Sequence, residues 1–525
     1  ENILENNNLT LESVLPAGEK LNLKDTANLS TGGTAQDVTD VVHPYNRFMA
    51  ERISKIIGLD ICGIDIMTTD ISVPLPETKG AVLEVNAGPG FRMHLAPTEG
   101  IARNVAAPVI DMLFPDNKSA RIPIVAITGT NGKTTTTRLI AHIMKMKGYK
   151  VGYTTTDGIY IQNRLLQTGD CTGPSSAEFV LKDPTVDFAV LECARGGLLR
   201  AGLGFGKCNI GIVTNVAPDH LGLKGIHTVE QLARVKSVIP ETVMPDGYAV
   251  LNADDDLVYE MRKNVNCNVA LFSMVEDNPR VKAHTQAGGI AAVYEEGYIT
   301  ICRGDWKIRI VKAVNVPLTF GGKAHFMIQN ILPATLAGYL SGLNIDDIKV
   351  ALELFAPSPT QTPGRLNLFE FENFSVLLDY AHNAAGLKGL SNMLENMDAT
   401  KKVGIIAGIG DRRVEDNEGI GSVAAGMFDE IIIRQDKNLR GKSEEELIAM
   451  LLSGIHKVDP AKKVTILNTE KEAIDHAISN AQHGSMVVIC SDVVPDALDM
   501  VMRYKEEESK RLYEFKKSDI PNMQT

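Results

Sequence analysis

The sequence predicts an α/β protein built on parallel sheets, and three observations carry that expectation. Short apolar runs of strand length alternate with helical periodicity from residue 121 onward. One of those runs, Arg121-Ile-Pro-Ile-Val-Ala-Ile-Thr128, empties directly into Gly129-Thr-Asn-Gly-Lys-Thr134. The alternation then resumes after Pro357-Ser-Pro-Thr-Gln-Thr-Pro363 as a second, smaller α/β region. Repeated strand–helix units of this kind build a parallel sheet covered by helices and place ligands at the carboxyl ends of the strands.

The first region runs to about Pro115, where Pro115-Asp-Asn-Lys-Ser119 reads as a linker. Within it, residues 80–86 alternate as a strand that puts Glu84 and Asn86 on one face. In the second region, residues 125–128, 188–192, 210–215 and 249–252 read as short buried strands. After the glycine loop, Leu139, Ile140, Ile143 and Met144 form one apolar stripe that Gly148 ends, so a helix N-terminus faces the loop. Residues 283–316 read as a small β excursion with turns at Gly288-Gly289, Glu296-Gly297 and Arg303-Gly304. In the third region strands are expected at 375–379, 402–408, 430–433, 464–467 and 486–490. The mixed charge after Arg503 reads as a solvated helix. The expected domains are 1–116, 117–357 and 358–525.

Composition narrows the function. With 525 residues, 44% hydrophobic and 22% charged, the chain has room for several ordinary globular cores. A formal net charge of −12 and the lack of a dense Lys/Arg block exclude a nucleic-acid binder that works by broad electrostatics. Cys62, Cys171, Cys193, Cys208, Cys267, Cys302 and Cys490 show no paired spacing, which suits reduced thiols and a cytoplasmic location. No apolar run reaches the ~18 residues of a membrane span, and no signal-peptide layout opens the chain, so no membrane partner is expected. The first residue is Glu1 rather than Met, and the chain is expected to be a piece whose upstream part is missing.

The glycine loop is where a triphosphate would sit. Amides around Gly129, Asn131 and Gly132 are expected to point at phosphate oxygens, Lys133 to neutralise β/γ charge, and the Thr134 hydroxyl to reach magnesium. The general pattern has a glycine five residues before Gly132; Ile127 stands there, so the loop is a shortened variant. Glu192, Asn215 and His220 follow neighbouring strands, and Thr134, Glu192 and His220 form an oxygen/nitrogen set suited to magnesium. A capping glutamate and a solvent histidine are the alternative. Arg195 and Arg200 flank glycines beside Glu192, as forks for carboxylate or phosphoryl recognition.

Gly129-Thr-Asn-Gly-Lys-Thr134, the strand-end Glu192, Asn215-x-x-x-Asp-His220, Pro363-Gly-Arg365 and Asp379-Tyr-Ala-His382 resemble the signatures of the Mur ligase superfamily of ATP-dependent amide ligases. Asn28-Leu-Ser-Thr-Gly-Gly-Thr-Ala35, Asp37-Val-Thr-Asp40, Leu59-Asp-Ile-Cys-Gly-Ile-Asp65, Glu84-Val-Asn-Ala-Gly-Pro-Gly-Phe-Arg-Met-His94 and Gly408-Ile-Gly-Asp-Arg-Arg413 narrow the resemblance to the cyanophycin synthetase family. The resemblance implies the C-terminal part of an ATP-grasp domain, then a P-loop-type Mur ligase central domain, then a smaller Rossmann-like domain. Asp65, Glu84 and Asn86 would be magnesium ligands of the first site, with Arg92 near its transferred phosphoryl group. That site lacks its upstream half and should be inactive alone.

For the second site the resemblance carries Gly129, Thr130, Asn131, Gly132, Lys133, Thr134 and Thr135 to the nucleotide cradle. It assigns Thr134, Glu192 and His220 to magnesium, Asn330 to the nucleotide-side hinge, and Arg365 and Asp379 to nucleotide contacts from the third region. His382, Arg195 and Arg200 would meet substrate. Lys236 matches the position of a lysine that relatives carbamylate: a free amine beside two magnesium ions would be repelled and a carbamate attracted, the alternative being a helix-surface lysine. His325 and Phe326 receive no role.

The implied cofactors are ATP and Mg2+. The implied partners are arginine, aspartate and an aspartate/arginine polymer primer, in a homo-oligomeric enzyme. A carboxylate would take the γ-phosphoryl group of ATP, and an amine would then displace phosphate to leave an amide. Another ligase of the superfamily, acting on folate or a cell-wall nucleotide, a P-loop phosphotransferase or motor, and a non-catalytic remnant are the competing expectations. Two nucleotide-contacting regions also imply closure about a hinge at 357–363.

Overall fold

The computed structural model describes residues 2–21, 29, 32–115, 120–435, 439 and 441–518. Asn28, Ser30 and Thr31 of the first motif, most of the 115–119 linker and the expected boundary at 116/117 lie outside the described residues. The chain divides into two compact units, Glu1–Arg121 and Ile122–Thr525.

The first unit holds strands β1 (Gly63–Met67) and β2 (Ala81–Asn86), paired antiparallel with Asp65 opposite Glu84 and Gly63 opposite Asn86. Its main helix, Pro44–Ile57, starts with proline in its first turn and the His43 ring accepting from the Tyr45 amide, and stops where Gly58 turns left-handed at φ 79°. Asn46 and Leu75 are its two fully screened residues among those described. The Asn46 amide ties Ile71 O and Val73 O to the Leu75 N–H, while Phe48, Ile56, Met67 and Leu83 remain exposed.

The second unit contains two sheets. The larger has eleven strands: β3 (Ile124–Thr128), β4 (Val151–Thr155), β5 (Gly158–Ile161), β6 (Arg164–Thr168), β7 (Phe188–Glu192), β8 (Cys208–Val213), β9 (Val243–Asn252), β10 (Asn268–Ser273), β11 (Ile290–Glu295), β12 (Tyr298–Arg303) and β13 (Trp306–Lys312). Their order is β13-β12-β11-β10-β9-β8-β3-β7-β4-β5-β6. The seven strands from β11 to β4 run parallel, and antiparallel hairpins extend both ends. Residues 283–316, expected as a small β excursion, hold β11 to β13, which continue this sheet at one edge. The continuous apolar face Ile290-Ala-Ala-Val293 lets β11 join β10 in parallel after the helix Pro279–Gln286. Only β12 and β13 fold back, through Gly297 and Gly304 at positive φ.

The smaller sheet comprises β14 (Asn367–Glu370), β15 (Phe374–Asp379), β16 (Lys402–Ile406), β17 (Glu430–Arg434), β18 (Lys463–Leu467) and β19 (Ser485–Cys490), in the order β14-β15-β19-β16-β17-β18. All pairs but β14–β15 are parallel. The helix Lys133–Met146 buries Leu139, Ile140, Ile143 and Met144 against the helix His325–Leu340, which is apolar nearly all round. One apolar cluster runs from Ile127 and Ile140 through Ile328 to Leu387, Leu390 and Ile406, so the third region packs on the central one through shared core.

Candidate nucleotide and ligation site

β3 lies between β7 and β8, and its carboxyl end opens into the glycine loop, so neighbouring strand ends converge there. Gly129 (φ 148°) and Gly132 (φ 86°) adopt backbone conformations that side chains avoid. A Cβ on Gly132 would stand 2.1 Å from Asn330 Oδ1, and one on Gly129 1.8 Å from Thr214 Oγ1. Such strain costs on the order of 1–3 kcal/mol, so Gly132→Ala should lower the melting temperature, and displacement of the loop should weaken ATP binding about tenfold by titration calorimetry.

The loop amides divide into two groups. The Thr130 amide donates to Asn215 O (2.9 Å) and the Asn131 amide to Asn215 Oδ1 (2.9 Å), while Thr214 Oγ1 and Asn215 Nδ2 both donate to Asn131 O. The Asn131 amide therefore holds the loop's shape instead of facing phosphate as expected. The amides at the start of the helix Lys133–Met146 have no preceding turn to bond to and are the ones a phosphate would meet. Lys133 Nζ meanwhile donates back to Thr130 O at 2.9 Å.

Glu192 ends β7 and is 2% exposed. The Thr134 hydroxyl donates to its Oε2 at 2.9 Å, and its Oε1 is buried with no hydrogen-bond partner among the described residues. Burial raises the Glu192 carboxyl above its ordinary range, against the pull of Lys133 and Thr134. An orphaned carboxylate oxygen beside a hydroxyl is a hard donor pair that fits magnesium. Among the described residues no group of three or more His, Cys, Asp or Glu side chains is arranged to hold a metal. His220, at φ 52°, turns its Nδ1 toward Arg412 and toward Asp411 Oδ2, 3.3 Å away, instead of contacting Glu192.

Lys236 is buried, which overturns the helix-surface alternative. Its Nζ donates to Gly129 O at 2.7 Å, and desolvation first, then Lys133, bring its pKa down to about 7. The third region reaches the same place. Asn383 and Asn131 exchange side-chain amide hydrogen bonds of 3.0 and 3.3 Å, and Arg365 donates to Thr134 Oγ1 at 3.4 Å while lying 4.2 Å from the centre of the Tyr380 ring. Asp379 is buried, accepts from the Leu366 amide at 2.9 Å and is shifted upward by desolvation. His382 Nδ1 lies 2.9 Å from Tyr380 O, a carbonyl that can only accept, so that nitrogen carries the proton. Burial lowers the His382 pKa to about 4.

These groups line one cavity of about 520 Å³, which takes in every residue expected at the second site: Gly129 through Thr135, Glu192, Arg195, Arg200, His220, Lys236, Asn330, Arg365, Asp379 and His382. Arg195 is already committed to Leu223 O, and the Arg200 Nε to Gly196 O at 3.1 Å. In the first unit, Asn86 Nδ2 lies 3.2 Å from Glu84 Oε1 and 3.5 Å from Asp65 Oδ2, so these three share one face, while Arg92 opens the short helix Arg92–Leu95 in solvent.

The sequence reading left without a role the ion pair between Arg412 NH2 and Asp219 Oδ1, 3.0 Å, which joins the third region to the central one. Both residues stood inside quoted motifs, but nothing in their spacing shows that they meet. Asn383, the residue after the Asp-Tyr-Ala-His run, was likewise passed over.

Residues 127–338 match the Mur ligase middle domain, and residues 364–493 match the Mur ligase, glutamate ligase domain. The chain belongs to the Mur ligase family. It is 51% identical over 502 residues to the cyanophycin synthetase of Geminocystis herdmanii, covering 96% of this chain and 57% of that protein. It is also 51% identical over 499 residues to that of Trichormus variabilis, covering 95% and 55%. The chain thus spans a little over half the length of these curated relatives. Identity to the UDP-N-acetylmuramoyl-L-alanyl-D-glutamate--2,6-diaminopimelate ligase of Caldanaerobacter subterraneus is 26% over 383 residues, covering 72% of this chain and 74% of that one. Among solved structures, E. coli FolC in complex with ADP shares the Mur ligase fold at a TM-score of 0.54 and 16% identity, over 73% of this chain and 90% of that one. A bifunctional folylpolyglutamate synthase/dihydrofolate synthase with Mn, AMPPNP and L-glutamate bound does so at 0.53 and 18%, over 72% and 89%. No helix among the described residues is long and apolar enough to cross a membrane.

Proposed function

We propose that this Mur ligase family member is an ATP-dependent amide ligase of the cyanophycin synthetase type, which activates an aspartate carboxylate as an acyl phosphate and joins it to arginine, releasing ADP and phosphate. The observation that carries this reading is the single cavity in which the glycine loop, the orphaned Glu192 oxygen and the third region's Arg365, Asp379 and His382 meet.

The side-chain carboxylate of a terminal aspartate attacks the γ-phosphoryl group, and the bond to the β-phosphate oxygen breaks as ADP leaves. The α-amine of arginine then attacks the acyl phosphate carbonyl, loses a proton and expels inorganic phosphate. Phosphoryl transfer leaves little covalent work to side chains, so the chain's contribution is placement and charge: Lys133 and the helix N-terminus on the phosphates, and the arginines on anionic oxygens. Thr134 and Glu192 would hold magnesium, which supplies neutralisation of phosphate charge when bound, while His220 faces Asp411 and Arg412. Asp65, Glu84 and Asn86 are assigned to a separate ATP-grasp site that needs further chain to act.

Given ATP, magnesium, arginine and a short aspartate-rich primer, the primer should gain the mass of arginine less water for each ADP formed. ADP release with an unchanged primer would refute the reading in favour of a phosphotransferase or motor, and failure to bind nucleotide would refute it in favour of a remnant.

Lys236 is assigned as a carbamate. Carbon dioxide adds only to a neutral amine, and a pKa of about 7 makes this lysine largely neutral above that pH, where an ordinary one stays charged to ~10. With 13C-bicarbonate, a carbamate resonance should grow as pH rises through 7 and vanish in Lys236→Ala. Its absence from active enzyme would contradict the assignment.

A further inference from the structure

Thr156 lines the cavity from outside the nucleotide loop. With Asp157 it forms the two-residue turn between β4 and β5, where Thr155 pairs with Gly158. Its hydroxyl stands 3.2 Å from Thr134 Oγ1, the group that donates to Glu192. A hydroxyl at a hairpin tip is only as well placed as the turn, and this turn is pinned. Asp157 Oδ2 accepts from Arg138 NH2 and from the Tyr160 hydroxyl (2.5 Å), and Oδ1 accepts from Thr155 Oγ1 (2.9 Å). Arg138 also donates to the Tyr160 oxygen at 2.8 Å and lies over the Tyr160 ring, which stacks on Tyr153 at 4.7 Å.

Arg138 grows from the second turn of the helix that the nucleotide loop opens, and its side chain is 3% exposed. Its other arm, NH1, donates to Gln361 O at 3.4 Å, in the 357–363 connection to the third region, and Gln361 Nε2 lies 3.4 Å from His142 Nδ1 on the same helix. One buried guanidinium therefore grips the turn that carries Thr156 and the connection whose movement would seat the third region. Its planar fork serves both at once, which an ammonium point charge cannot reproduce.

We propose that Arg138 is a positioning residue that couples the seating of the third region to the placement of Thr156, whose hydroxyl donates to oxygens of the transferred phosphoryl group. The proposal rests on the ligase reading above. Closure draws Gln361 onto Arg138, and Arg138 in turn fixes Asp157 and holds Thr156 beside Thr134. An open connection takes Gln361 O from the NH1 arm, which keeps only the longer contact to the Tyr153 hydroxyl at 3.5 Å among the described residues, and loosens the hold on the turn.

The test uses the whole chain in the primer-extension assay. Thr156→Val keeps the shape and removes the hydroxyl; it should lower kcat about tenfold, as for loss of one hydrogen bond, and leave the KM values for ATP and arginine within about twofold, with Thr156→Ser restoring the rate. Tyr160→Phe keeps the stack and should lower kcat in the same way without lowering nucleotide affinity. Arg138→Lys should abolish the compaction that an ATP analogue and primer produce in small-angle scattering. Unchanged kcat in both Thr156→Val and Tyr160→Phe, with wild type active, would overturn the proposal and leave the ligase reading intact. A wild type that forms no amide refutes the ligase reading instead, and scattering then decides the coupling: an Arg138→Lys chain that compacts like wild type overturns it.

Discussion

Lys133→Ala is expected to abolish amide formation, lowering kcat by about a thousandfold or more, the scale on which an aligned charge donor to a phosphoryl transition state acts. Lys133 is half-buried and its ammonium bonds the Thr130 carbonyl at 2.9 Å, so its removal takes little apolar packing from the fold. The melting temperature should stay within a few degrees of wild type, and circular dichroism should be unchanged. Loss of this cation also leaves Glu192 without the strongest of the groups that hold its carboxyl down, which raises that carboxyl further. Retention of more than a tenth of the wild-type rate would remove the loop from the reaction.

Arg412→Ala carries the largest expected effect on stability. Arg412 is 2% exposed and pairs with Asp219, 11% exposed, across two regions that are far apart in the chain. Removing one partner of a screened ion pair leaves a buried charge behind, at a cost of about 3–5 kcal/mol. Chemical denaturation should show that loss, and the rate of amide formation should fall with it because the third region no longer seats. The pH dependence gives a second reading. Burial raises the Asp219 carboxyl, and Arg412 pulls it below the ordinary range. Its stabilising contribution is therefore present above the unfolded value of ~3.9 and disappears as pH falls through the lower folded value. In Arg412→Ala the largest of the lowering influences is gone and only those of His382, His220 and Lys133 oppose desolvation, so the variant should lose stability relative to wild type as pH rises through 4. An equal loss at every pH would point to packing alone.

Much of the central region was legible because strand and helix periodicities are local. The apolar run before Gly129, the stripe from Leu139 to Met144 and the carboxylate closing β7 each follow from a few residues of sequence. The role of the Asn131 amide was not legible: whether it faces phosphate or Asn215 depends on a side chain 84 residues away. The strands β11 to β13 and their turns at Gly297 and Gly304 were legible from the glycine punctuation, whereas the parallel pairing of β11 with β10 is a tertiary choice. Lys236 shows the same limit. Its position reads either as a carbamylated lysine or as a helix-surface lysine, and the packing that buries it with its Nζ on Gly129 O removes the second. Arg138 sat unnoticed in a helix whose pattern read as ordinary, since a buried cation becomes intelligible only with Asp157 and Gln361 beside it.

The central claim is that a carboxylate is activated by taking the γ-phosphoryl group of an ATP whose tail lies in the turn after Thr128. Primer labelled with 18O in its terminal carboxylate, incubated with ATP, magnesium and arginine, tests it most directly. One labelled oxygen should appear in inorganic phosphate for each amide formed, with ADP as the other product. Label retained in the polymer or found in AMP, while amide still accumulates, would contradict the account.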